Sequence, residues 1–181
     1  MSRHALVVAL VALIALLAAP LVLSSFTVSL LNYIGVYALV AIGLALLTGV
    51  AGIVSFGQAA FVGVAAYATA WLSAINGYSP WLGLILAVVV TCAVAAALGA
   101  ATLRLEGHFL SLSTLAWGLA IGFLFGNIEG LGNFSGISNI PPIRVGSRAL
   151  MQSAEIYYLI LAFVVLALVL MYNLMDSRWG R

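Results

Sequence analysis

Six apolar runs follow one another along this 181-residue chain, each about as long as the roughly 30 Å hydrocarbon core of a bilayer requires. The expected spans are Ala5 to about Leu23, about Leu30 to Thr48, about Gly52 to Ile75, Trp81 to about Leu103, Phe109 to about Asn127, and Ile156 to Met175. Residues are 66% hydrophobic and only 6% charged, where soluble domains carry about 25% charged residues. A water-soluble core of this length has no room for so much apolar surface, so the solvent of the fold is lipid. The expectation is an all-α, polytopic transmembrane helix bundle of about six spans, one membrane region over residues 1–181.

The third run is unlike the others. From Gly49 to Tyr67 it is broken by glycines and by Ser55 and Gln58. Irregular backbone at membrane depth is tolerated only where it is buried in protein or lines a cavity, and interrupted hydrophobic segments point to a transporter's binding region. Gly52 and Gly57 have the spacing that opens a phosphate-binding loop, but Gln58 and Ala59 stand where that loop needs Lys and Ser/Thr. Nucleotide binding is excluded. If the segment is helical, Ser55 and Gln58 share one face, three residues apart. Together with Tyr67 they are candidates for lining a substrate path; the competing reading is polar glue between helices.

All six positive side chains are arginine, and the net charge is +2. With both termini cytoplasmic, Arg3, Arg104, Arg178 and Arg181 lie inside and Arg144 and Arg148 outside, as the positive-inside rule prefers. Residues 127–155 then form an extracytoplasmic loop, too long for a plain connector; it either caps the bundle or docks an external partner, with Asn133, Phe134 and Arg144 as candidate docking residues. Trp71, Tyr78, Trp81 and Tyr157-Tyr158 fall near span ends, as an aromatic belt requires. Arg3, the apolar run and Ala18-Ala19 also fit a cleaved secretory signal, although Pro20 follows the cleavage point and the run exceeds a usual h-region.

Other features carry no chemistry. Gly118, Gly122 and Gly126 share one face of the fifth span, and Ala95 and Gly99 one face of the fourth; small residues at this spacing admit a closely packed helix. Glu106 and His108 sit in a short hairpin, and the only other histidine is His4, too few ligands for a metal site. No nucleophile–base set is visible, so no catalytic residue, metal or cofactor is expected, and the charge is too sparse for nucleic acid. Cys92 is the only cysteine and forms no intrachain disulfide. No acid or lysine lies within an expected span, whereas ion-coupled pumps carry an intramembrane ionisable group. The driving energy is therefore expected from elsewhere.

Four stretches resemble the high-affinity branched-chain amino acid ABC importer permeases, a family with urea- and amide-transporting relatives. Gly52 to Phe61 is similar to the family's Gly-Leu-x-Ser-Leu-Gly-[His/Gln]-Ala-Ala-Phe run. Leu103 to Leu110 continues into Thr114-Leu115-Ala116-Trp117-Gly118, the outer loop ends Gly136-Ile137-Ser138-Asn139-Ile140-Pro141-Pro142, and the tail reads Ser177-Arg178-Trp179-Gly180-Arg181. Their order matches from about Leu30 onward. The chain departs from the family at Asn133-Phe134, where Gly-Ser is usual, and at Asn139, where Gly is common.

The resemblance implies a bacterial inner-membrane importer in which an extracytoplasmic substrate-binding protein delivers solute to two permease subunits, with two cytoplasmic ATPase subunits driving alternating access. It also implies that a coupling segment and later helices follow the position of Arg181 in family members, so that this chain corresponds to an N-terminal portion. The rival readings are a small self-contained secondary transporter or channel, which would move solute without nucleotide, and an intramembrane enzyme.

Overall fold

The computed structural model describes residues 3–50, 52–102, 104–105, 107–146 and 148–177, with side chains from residue 11 onward. Six α-helices run in chain order: α1 (Arg3–Val22), α2 (Ser25–Gly49), α3 (Gln58–Ala70), α4 (Pro80–Thr102), α5 (His108–Asn127) and α6 (Ser153–Asp176). Five of these segments are long and apolar enough to cross a membrane, α3 counted with the turn that follows it; the described part of α1, Val11–Val22, is apolar but shorter. The all-α polytopic architecture expected from the hydropathy is the one observed. Glu106 and the tail motif from residue 178 onward lie outside the described residues.

Helix starts differ from expectation where polar side chains cap them. The second helix begins at Ser25 rather than near Leu30, because the Ser24 hydroxyl accepts the Thr27 amide at 3.4 Å, satisfying a donor that a helix N-terminus leaves free. At α6 the Glu155 carboxylate accepts the amides of Met151 at 3.2 Å and Gln152 at 3.4 Å. This reach back from the third helical position is one half of a capping box, and it starts the helix at Ser153 rather than Ile156.

The chain divides into two compact units, Met1–Gly43 with Leu150–Arg181, and Leu44–Ala149. Within the first, Tyr157 and Tyr158 of α6 donate to the carbonyls of Leu16 at 3.0 Å and Leu17 at 3.1 Å. On α2, the Ser29 hydroxyl bonds the Ser153 hydroxyl at 2.9 Å and the Asn32 amide donates to the Ser153 carbonyl at 3.0 Å. One turn beyond, a Cβ at Gly35 would lie 2.6 Å from a methyl of Ile160, so α2 and α6 approach there as only glycine allows.

Within the second unit, α3 and α4 form a tight antiparallel hairpin. The Thr69 hydroxyl donates to Ala65 in its own helix at 2.9 Å, and a Cβ at Gly83 of α4 would meet the Thr69 carbonyl at 3.1 Å. At its far end α3 widens into a π-helical turn, Trp71–Ile75, closed by the Asn76 side chain, which donates to the Trp71 carbonyl at 2.9 Å. The 128–152 loop carries two short 3-10 turns and a two-residue antiparallel pair, β1 (Arg144–Val145) with β2 (Arg148–Ala149). It is tied to α4 by Trp81, whose indole Nε1 donates to the Arg144 carbonyl at 2.7 Å.

Candidate functional site

The third run is not a helix from Gly52. At Gly52 φ is +65°, and the Ile53 amide turns back to the Leu47 carbonyl at 3.2 Å. The chain is then non-helical until α3 starts at Gln58. The helical face read for Ser55 and Gln58 is therefore not formed. The reason is local: glycine favours this left-handed conformation, which takes the backbone out of helical register, and Gly57 at the other end supplies the N-cap of α3 with no side chain bonding the first amides.

Such backbone needs partners in a membrane, and α5 provides them. Ser111 donates its hydroxyl to the Val54 carbonyl at 3.0 Å. The Phe56 amide donates to the Thr114 hydroxyl oxygen at 3.0 Å, while that hydroxyl donates to the Ser111 carbonyl at 2.9 Å. The Gly57 amide turns to the Ser55 hydroxyl oxygen at 3.3 Å. A Cβ at Gly57 would stand 3.2 Å from the Thr114 carbonyl, so the stretch lies directly on α5. Sequence reasoning missed Ser111 and Thr114. The only signal was the cluster Ser111, Ser113, Thr114 within an otherwise apolar span.

Beside this stretch is a cavity of about 220 Å³, bounded by α3, α4, α5, the non-helical segment and Leu47 at the end of α2. Its walls are apolar except for the hydroxyls of Ser55, Thr102 and Thr114, and the side chains of Phe61, Leu98 and Trp117 make much of the rest. Ser55 is only 8% exposed. Ala95 and Gly99, read from the sequence as helix-packing residues, also line it.

The other candidates are dispersed. Gln58 is half-buried as the first residue of α3 and is not part of that wall. Tyr67 stacks on Phe125, with ring centroids 4.5 Å apart and planes inclined by 29°, and borders a separate apolar groove with Trp71 and Leu131. On α5, a Cβ at Gly118 would lie 3.9 Å from the Phe56 carbonyl, one at Gly126 would collide with the Phe134 ring, and one at Gly122 would meet nothing within 4 Å. What approaches this glycine face at Gly118 and Gly126 is irregular backbone and a loop aromatic. In the loop, Asn133 and Arg144 are exposed, and Phe134 is 76% exposed although its ring edge covers Gly126.

Residues 26–181 match the family described as the permease component of branched-chain amino acid transport systems. The chain belongs to this permease family. It is a multi-pass membrane protein with a permease role, in a family whose members work with other components of a transport system. The matched region takes in the whole second unit, so the permease's non-helical stretch, its α5 hydroxyls and its cavity all fall inside it. No curated protein and no solved structure matches the chain.

Proposed function

We infer that this permease is a subunit of an ATP-driven importer for branched-chain amino acids or related small polar solutes such as urea and amides. Its partners in this reading are a second permease subunit, two cytoplasmic ATPase subunits and an extracytoplasmic substrate-binding protein, in the inner membrane of a bacterium with both termini cytoplasmic. The observation that carries the reading, beside family membership, is the non-helical 53–57 stretch bordering a mostly apolar cavity. Discontinuous helices with free N-termini are where transporters meet charged substrate groups, and the start of α3 has no side-chain cap. A cavity of about 220 Å³ has room for one short aliphatic group or a handful of waters, at roughly 30 Å³ per water.

In this reading Ser55, Gln58 and Tyr67 lie along the path, and the 128–152 loop with Asn133, Phe134 and Arg144 receives the binding protein. A bare phenyl ring 76% exposed on a loop is the kind of aromatic anchor that buries on docking.

The test is uptake of leucine by proteoliposomes holding the assembled complex, with ATP and binding protein supplied. A Ser55→Cys variant in a Cys92→Ala background is expected to react with a water-soluble thiol reagent and to lose uptake when modified. Uptake that proceeds without nucleotide would replace this reading by a self-contained carrier. A Ser55→Cys thiol inert in the working complex would remove the path from this site.

A further inference from the structure

The stretch 53–57 contains no proline, so nothing in its covalent structure forbids it from joining α3. In a helix its amides and carbonyls would be satisfied internally, which lipid strongly favours. It is non-helical instead, and the Val54 carbonyl and the Phe56 amide are both met by side chains of α5.

These two contacts form a linked set. Ser111 and Thr114 are one helical turn apart, and the Thr114 hydroxyl is used in both directions: it accepts from Phe56 across the gap and donates to Ser111 within its own helix. Thr114 has no second proton to give and Phe56 has no second amide, so loss of the hydroxyl leaves the Phe56 N–H without this acceptor. An amide facing lipid has no water to replace that acceptor. The same residue is part of the cavity wall and bonds the neighbour of Ser55, whose hydroxyl accepts the Gly57 amide at 3.3 Å. What holds the stretch open also sets the shape of the cavity.

We propose that Ser111 and Thr114 are positioning residues of the transport path: their hydroxyls hold the 53–57 backbone in its non-helical form and so keep Ser55 and the start of α3 presented to the cavity. Thr114 is the principal holder, because its hydroxyl bonds both Phe56 and Ser111 and the residue itself lines the cavity. Ser111 is the lesser one, because it bonds the stretch at a single carbonyl and is not part of the cavity wall. This rests on the reading of the cavity as part of the path, and the hydroxyls matter to transport through the shape they impose.

The experiment uses the complete complex, with Cys92→Ala and a reporter thiol at Ile53→Cys on the cavity wall, and compares Thr114→Val, Thr114→Ser and Ser111→Ala. Thr114→Val is expected to raise KM for uptake about tenfold, the equivalent of roughly 1.4 kcal/mol, with the maximal rate and the amount of assembled complex changing less than about twofold. It is also expected to change the rate at which the position-53 thiol reacts with a water-soluble reagent. Thr114→Ser keeps the hydroxyl and is expected to restore both readouts; Ser111→Ala shows the same shifts more weakly. Unchanged KM and labelling in Thr114→Val overturn the proposal, as does equal loss in Thr114→Ser, which would mean that shape and not the hydroxyl matters. If Thr114→Val does not assemble, Ser111→Ala decides by the same two readouts. If the parent complex takes up no branched-chain amino acid while labelling still follows the hydroxyl, the substrate reading fails and the positioning role stands.

Discussion

Tyr157 donates its phenolic proton to the carbonyl of Leu16 at 3.0 Å, and this is the carbonyl that Pro20 leaves without a donor. In an α-helix the Leu16 carbonyl would be paired by the amide four residues on, but a proline has none. Tyr158 serves Leu17, the next carbonyl, at 3.1 Å. Two adjacent tyrosines on α6 thus complete the backbone of α1 around its proline.

The first prediction is a coupling between Tyr157 and Pro20. Tyr157→Phe is expected to lower stability by about 1 kcal/mol, the scale of a side-chain hydrogen bond in a membrane. In a Pro20→Ala background the Leu16 carbonyl regains an amide, so the same substitution is expected to cost about half as much or less. Unfolding of the purified protein in mixed detergent micelles measures the cycle. Equal costs in both backgrounds would show that the proline and the tyrosine are independent.

How much of this was legible beforehand follows from what lipid demands. A span needs about 20 continuous apolar residues, a constraint local enough to be read from the chain, and the helices fell within the expected runs apart from the earlier starts of α2 and α6 and the non-helical opening of the third. The break between the third and fourth runs is also local, because Asn76, Gly77 and Pro80 act on their own backbone. The partners of the 53–57 stretch were not. Ser111 and Thr114 lie 57 and 58 residues beyond the groups they bond, and a hydroxyl in a span more often turns back on its own helix, as Thr102 does to Leu98 at 2.7 Å. Tyr157 was read as part of an interfacial belt, since nothing local links it to a proline at position 20. Ala95 and Gly99 have the spacing of a packing face; only the fold shows that they border a cavity.

A second prediction separates two glycines. A Cβ at Gly57 would press on the backbone of Thr114 at 3.2 Å, whereas one at Gly122 would meet nothing within 4 Å. Gly57→Ala is expected to destabilise by about 1–3 kcal/mol, as overpacking does. Gly122→Ala in the isolated chain is expected to be neutral or to stabilise by up to about 1 kcal/mol, the helix-propensity difference. Thermal denaturation in detergent reads both. If Gly122→Ala is neutral alone yet impairs the assembled complex, a partner helix packs on that face.

Trp81 anchors the 128–152 loop through one hydrogen bond to the Arg144 carbonyl. Trp81→Phe keeps most of the ring and removes the donor, so the loop is expected to open about fivefold more often, for a bond worth about 1 kcal/mol. Trypsin cleavage after the exposed Arg144 is the measurement, and an unchanged rate would mean that the bond does not restrain the loop. In spheroplasts the cut occurs without permeabilisation if the loop is extracytoplasmic. Protection until the membrane is opened would reverse the proposed orientation.

The departures at Asn133 and Asn139 have a backbone explanation. Both residues have positive φ, 53° and 57°, in the left-handed region that glycine enters freely and that asparagine tolerates best among other residues. Asparagine at such places holds the conformation that glycine would adopt, at modest cost. Asn139→Gly is therefore expected to leave stability and transport within about 0.5 kcal/mol of the parent, the ordinary range for surface changes. Asn139→Val, with a β-branched side chain at the same φ, is expected to cost about 1–2 kcal/mol locally and to displace Ile140, which borders the groove between α3 and α4. Hydrogen exchange across residues 136–146 reports that displacement directly. Equal protection in the valine and glycine variants would mean that the loop is held by its anchors at Phe134 and Trp81 alone, and that the turn at Asn139 carries none of its shape.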